Sequence, residues 1–118
     1  MSHPIEETQV NIVSEQTHLE GELFFESVTR VHGTLKGQIN GQKGSTLILT
    51  ESSVVEGKVN ADTLIIEGFV KGDIVAETKI IIAPQGRVLG TLTTPSLSIA
   101  PGAFFEGSAS MQKFTQNQ

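Results

Sequence analysis

Val55-Glu56-Gly57-Lys58-Val59, Val70-Lys71-Gly72-Asp73-Ile74 and Val88-Leu89-Gly90-Thr91-Leu92 are three copies of one pattern: a glycine with an aliphatic residue two positions to either side. The pattern extends outward in both directions. Leu19-x-Gly21-x-Leu23 and Leu35-x-Gly37-x-Ile39 precede it, and Phe105-x-Gly107-x-Ala109 is a degenerate last copy. Successive glycines lie 16, 20, 15, 18 and 17 residues apart. A second ladder keeps the same period: Leu47-x-Leu49, Leu64-x-Ile66, Ile80-x-Ile82 and Leu97-x-Ile99, spaced 17, 16 and 17. Two ladders in phase identify an internal repeat.

Within each copy, apolar and polar residues alternate in short runs broken by Gly, Pro, Asp and Asn. That is the pattern of β-strands joined by tight corners. Pro84, Pro95 and Pro101 argue against helices in the same region. A coil of about 17 residues cannot bury its inner face alone, but coils stacked about 4.8 Å apart share a continuous backbone ladder. The spacing therefore predicts an all-β, single-domain parallel β-helix (a β-solenoid) of five to six coils. Alternation places Val31, Leu35, Ile39, Leu47, Leu49, Val55, Val59, Leu64, Ile66, Val70, Ile74, Ile80, Ile82, Val88, Leu92, Leu97, Ile99 and Phe105 inside. The β-helix domain is expected over residues 19–111, between a flexible N-terminal tail (1–18) and a flexible C-terminal tail (112–118).

Composition narrows the function. The 118 residues include no Cys, Trp or Tyr, which removes disulfides and thiolate metal sites. A net charge of −5 speaks against a nucleic-acid surface. The longest aliphatic run, Ile80-Ile81-Ile82-Ala83, is far short of a membrane span. Residues 1–18 hold three Glu and no Lys or Arg, unlike a secretory signal.

Catalytic candidates are few. Of three His, only His32 falls within the expected repeat, at an outward position. The acidic residues fall at outward or corner positions beside Lys58, Lys71 and Lys79, as on a solvated surface of mixed sign. Gly41-x-x-Gly44-Ser45-Thr46 lacks the Lys placement and following helix of a phosphate loop. No catalytic, metal or cofactor residues are expected. Ile99-Ala100-Pro101-Gly102-Ala103-Phe104 fits the hexapeptide pattern of left-handed β-helix acyltransferases, which keeps that enzyme class as an alternative. A monomeric solenoid binding module is the other.

The combined string resembles one family, the bactofilins. The resemblance rests on Val31-His32-Gly33-Thr34-Leu35-Lys36-Gly37, the Gly57 and Gly72 copies, and Pro84-Gln85-Gly86-Arg87-Val88-Leu89-Gly90. It continues through Thr94-Pro95-Ser96-Leu97-Ser98-Ile99 and Pro101-Gly102-Ala103-Phe104-Phe105-Glu106-Gly107, with Met111 shortly after. It implies a right-handed hand for the helix and a cytoplasmic, cytoskeletal filament formed without nucleotide. It also implies a scaffold role for cell-wall or cell-shape proteins, and non-polar junctions between copies. Many bactofilins carry an apolar, basic membrane-binding N-terminus, whereas Met1–Glu7 here is acidic. That departure leaves direct membrane binding, and a place at the inner face of the membrane, open.

Two surfaces follow as candidates. A solenoid exposes unpaired backbone and apolar interior at both ends, and five of six Phe cluster there. Leu23, Phe24 and Phe25 at one end, and Phe104, Phe105, Met111 and Phe114 at the other, are the expected polymerisation faces. Ile48, Ile65 and Ile81 lie between inward pairs and should stack into an outward stripe for lateral or partner contact.

Overall fold

Gly21, Gly37, Gly57, Gly72, Gly90 and Gly107 occupy one recurring bend, with φ between +115° and +143°. L side chains adopt that conformation at a cost. From Gly37 onward a Cβ would also overlap the carbonyl oxygen of the equivalent glycine one coil earlier. The repeated glycine is therefore required twice over, by the turn and by the close stacking of backbone on backbone.

The computed structural model describes residues 10–111. Its strands are β1 (Val10–Val13), β2 (His18–Phe25), β3 (Val28–Val31), β4 (Thr34–Gly41) and β5 (Thr46–Leu49). They continue as β6 (Val54–Ile66), β7 (Phe69–Ile82), β8 (Arg87–Thr93), β9 (Leu97–Ile99) and β10 (Phe104–Ser110). Each coil is one short straight strand followed by one longer strand bent at the glycine. In β6 and β7 the long strand of one coil runs straight into the short strand of the next. A register shift between Ala61 and Thr63 marks that corner. Every pairing is parallel, and the described residues make six coils: 10–27, 28–45, 46–62, 63–78, 79–96 and 97–111. The expected β-solenoid is thus the observed architecture.

The core is a set of columns rather than a cluster. Val13, Val31, Leu49, Ile66, Ile82 and Ile99 stack in register along the short strands. Leu19, Leu35, Val55, Val70, Val88 and Phe105 form a second column, and Leu23, Ile39, Val59, Ile74, Leu92 and Ala109 a third. Like residues one coil apart interlock, which is why branched aliphatics dominate. Corners are pinned by side chains. Asp62 accepts from the Gly44 amide at 2.6 Å and from the Thr78 hydroxyl, tying three coils together. Ser53 Oγ donates to Thr50 O at 2.7 Å.

Three expectations are corrected. The solenoid begins inside the region expected as tail: β1 pairs with β3, and Val13 is buried. His18 accordingly opens β2 and is a second histidine within the repeat. Ile99 is 44% exposed rather than interior, because among the described residues β9 pairs only with β7 and lies in the last coil. The expectation for 112–118 lies outside the described residues.

Candidate functional site

The two ends differ from every internal coil in one respect: among the described residues, their strands are paired on one side only. β1 and β2 form the N-terminal edge, β9 and β10 the C-terminal edge. Backbone N–H and C=O groups on these edges face outward as a template for another strand. The apolar columns are also cut open here. Leu35, Val55, Val70 and Val88 are 0% exposed, whereas Leu19 and Phe105, which end the same column, are only half-buried. Leu23 and Phe25 at the first coil, and Leu97 and Ala103 at the last, likewise pack on the core yet remain half-buried.

Of the expected end-face residues, Leu23 and Phe105 stand on these cut columns, and Phe25, in register with Gly41, packs on the core beside them. Phe24 (68% exposed) and Phe104 (47% exposed) do neither. Neighbours in a strand point to opposite faces, so each Phe-Phe pair can supply only one ring to the interior. Phe24 lies outside, in register with Asn40 and Asn60. Phe104 lies outside on the Arg87–Phe69 column, beside an open groove lined by Pro84, Gln85 and Gly102. Met111 is 56% exposed just past β10, and Phe114 lies outside the described residues. Leu19, Leu97 and Ile99 belong to the end faces although the Phe content did not point to them. Their place in the columns does.

On the sides, Ile48, Ile65 and Ile81 stack in register, outward and half-buried. Arg30 and then Ile12 continue the column toward the first coil, and Ser98 closes it. The strand segments of this face (10–13, 28–31, 46–49, 63–66, 79–82 and 97–99) carry no acidic residue. Its only charges are Arg30 and Lys79.

Thr50 Oγ1 donates to Val31 O at 3.0 Å, so at 2.9 Å it accepts from His32 Nδ1–H. That bond ties up one ring nitrogen of His32 in a corner contact. Among the described residues no three His, Cys, Asp or Glu stand close enough to hold a metal, and no helix is long and apolar enough to cross a membrane.

Comparison with known proteins bears on this geometry. Residues 11–110 match the family model described as bactofilin, polymer-forming cytoskeletal. The chain is 31% identical over 100 residues to bactofilin BacO of Myxococcus xanthus (strain DK1622), covering 85% of this chain and 78% of BacO. It is 32% identical over 80 residues to bactofilin BacP of the same organism, covering 66% of this chain but only 33% of BacP. A solved structure, the cryo-EM reconstruction of Thermus thermophilus bactofilin double helical filaments, has a similar fold. The TM-score is 0.79 at 24% identity, over 84% of this chain and 96% of that one.

Proposed function

The chain belongs to the bactofilin family of polymer-forming cytoskeletal proteins, and from that premise we propose that it polymerises by stacking end on end, without nucleotide, into a filament that serves as a scaffold. One observation carries this reading: the Leu35–Val88 column, fully buried in every internal coil, is left half-covered at both ends, at Leu19 and Phe105. Burying a Leu or Phe is worth roughly 1.5–3 kcal/mol. Association itself costs an estimated 4–15 kcal/mol. Three or four such side chains from each copy, together with newly paired strand edges, supply a free energy of that order with no bound nucleotide.

Each end meets its own copy through a two-fold axis: first coil to first coil, last coil to last coil. The working part of the filament is then its side. A repeated side surface raises the apparent affinity of anything that binds it at several points, which suits a scaffold for cell-wall or cell-shape proteins in the cytoplasm. No catalytic, cofactor or metal role is assigned. Sedimentation of the purified protein in nucleotide-free buffer tests the reading. The chain should pellet equally with and without ATP or GTP; a requirement for either, or a chain that stays in solution throughout, would overturn it.

The Thermus relative forms double helical filaments, and the Ile48–Ile65–Ile81 face is our candidate for lateral pairing here. Ile65→Thr with Ile81→Thr keeps β-branching and costs on the order of 1–3 kcal/mol of stability. Electron micrographs of the double variant should show single filaments where the parent shows pairs or bundles. Unchanged pairing would remove this face from the account.

A further inference from the structure

The coils carry unequal charge. The first coil holds Glu15, Glu20, Glu22 and Glu26 with no Lys or Arg, and the nine residues before it add Glu6 and Glu7. All four glutamates of the first coil are exposed. His18 Nε2 lies 3.1 Å from Glu20 Oε2, and Gln42 Nε2 donates to Glu26 Oε2 at 3.5 Å. The second coil reverses sign, with Arg30, Lys36 and Lys43 and no acid. The last coil has a single charge, Glu106. A ring of carboxylates thus surrounds Leu19, Leu23 and Phe25 at one end, while Leu97, Ile99 and Phe105 sit in an almost uncharged end.

We propose that the N-terminal end face is an electrostatically gated junction, closing on a second copy only when its glutamates are screened, whereas the C-terminal junction forms regardless of ionic strength. The proposal rests on the end-to-end reading above. When two first coils abut, glutamates of both copies lie within about one or two strand spacings of 4.8 Å along the filament axis. The screening length is roughly 10 Å at 0.1 M salt and 3 Å at 1 M. Like charges at that distance therefore repel strongly in dilute salt and weakly in concentrated salt. The basic second coil stands one row further from the junction on each side, so the nearer acidic rows dominate. Assembly is then ordered. C-terminal dimers form first, and ionic strength sets how far they join through their N-terminal ends.

Two variants isolate the junctions. Phe105→Glu blocks the C-terminal face and leaves the N-terminal one. Glu is preferred there to a basic residue, which would attract the acidic end of another copy. Leu23→Glu does the converse. Each is checked for fold by circular dichroism and measured by sedimentation equilibrium from about 25 mM to about 500 mM NaCl. The Phe105→Glu dimer should tighten by about tenfold or more across that range, and the Leu23→Glu dimer by less than about threefold. Adding Glu20→Gln and Glu22→Gln to Phe105→Glu should remove most of the salt response. A folded Phe105→Glu protein that dimerises equally at both salts would overturn the gate. If both single variants are monomers at every salt concentration, or both still form filaments, the end-to-end homotypic reading itself fails.

Discussion

Gly72→Ala is expected to give a chain that fails to reach the native solenoid at ordinary temperature. Gly72 has φ +140°, and a Cβ there would overlap the carbonyl oxygen of Gly57. The obstacle is backbone at the middle of the stack, held by strands on both sides, so no side chain can swing aside. Relief requires β6 and β7 to part, breaking the ladder where both neighbouring coils depend on it. The unusual φ alone costs about 1–3 kcal/mol, and with the overlap the total should exceed about 4 kcal/mol. That is a large share of the 5–15 kcal/mol typical of a whole domain. Gly21→Ala is the matched control. Gly21 has φ +115° but nothing stands within 4 Å, because it lies in the first described coil. Circular dichroism and urea unfolding should find Gly21→Ala folded with a modest loss and Gly72→Ala unfolded or aggregated. Similar stabilities for the two would show that close stacking is not what selects glycine.

Phe105→Glu should abolish long filaments while leaving the fold intact. Phe105 ends the Leu19–Val88 column and is half-buried at the rim, so a carboxylate there can stay hydrated in the free chain. The folding cost is bounded by the lost burial of one Phe, roughly 1.5–3 kcal/mol. At a two-fold junction the same change places two carboxylates against each other and out of water, at a penalty of several kcal/mol per ion. Light scattering after size exclusion should find nothing larger than a dimer, the dimer being joined at the N-terminal face. Filaments of normal length from a folded Phe105→Glu protein would exclude the C-terminal face as a junction.

The glycine and aliphatic spacings carried most of the fold, because in a parallel stack one residue's column is the next residue's column a period later. Val55, Val70 and Val88 are inward for the same reason that Glu56 and Lys71 are outward. What the spacing could not show lies at the ends. The first short strand is hidden because half of its pattern is polar: Asn11 pairs with Thr29, and Thr29 with Leu47, so the first two rows of the ladder visible from Leu47 onward keep only the hydrophobe of the second position, Val13 and Val31. Ile99 carries the interior pattern yet is exposed, since burial in a stack depends on a neighbouring coil and it lies in the last described one. Phe24 and Phe104 read as end-face rings because position along the chain is visible in sequence and the sense of alternation at a rim is not. The side stripe of Ile48, Ile65 and Ile81 was legible because it sits in the middle of the stack, where register is fixed on both sides.

The axial repeat of the filament tests the central claim most directly. Six coils stacked about 4.8 Å apart give roughly 29 Å per copy along the axis, and homotypic junctions double the true repeat to roughly 58 Å. Cryo-electron micrographs of filaments grown without nucleotide should therefore show a meridional reflection near 4.8 Å, from strands perpendicular to the axis, and a repeat of about 58 Å. A true repeat of about 29 Å would mean polar, head-to-tail stacking. Strands running along the filament axis would contradict end-on assembly altogether.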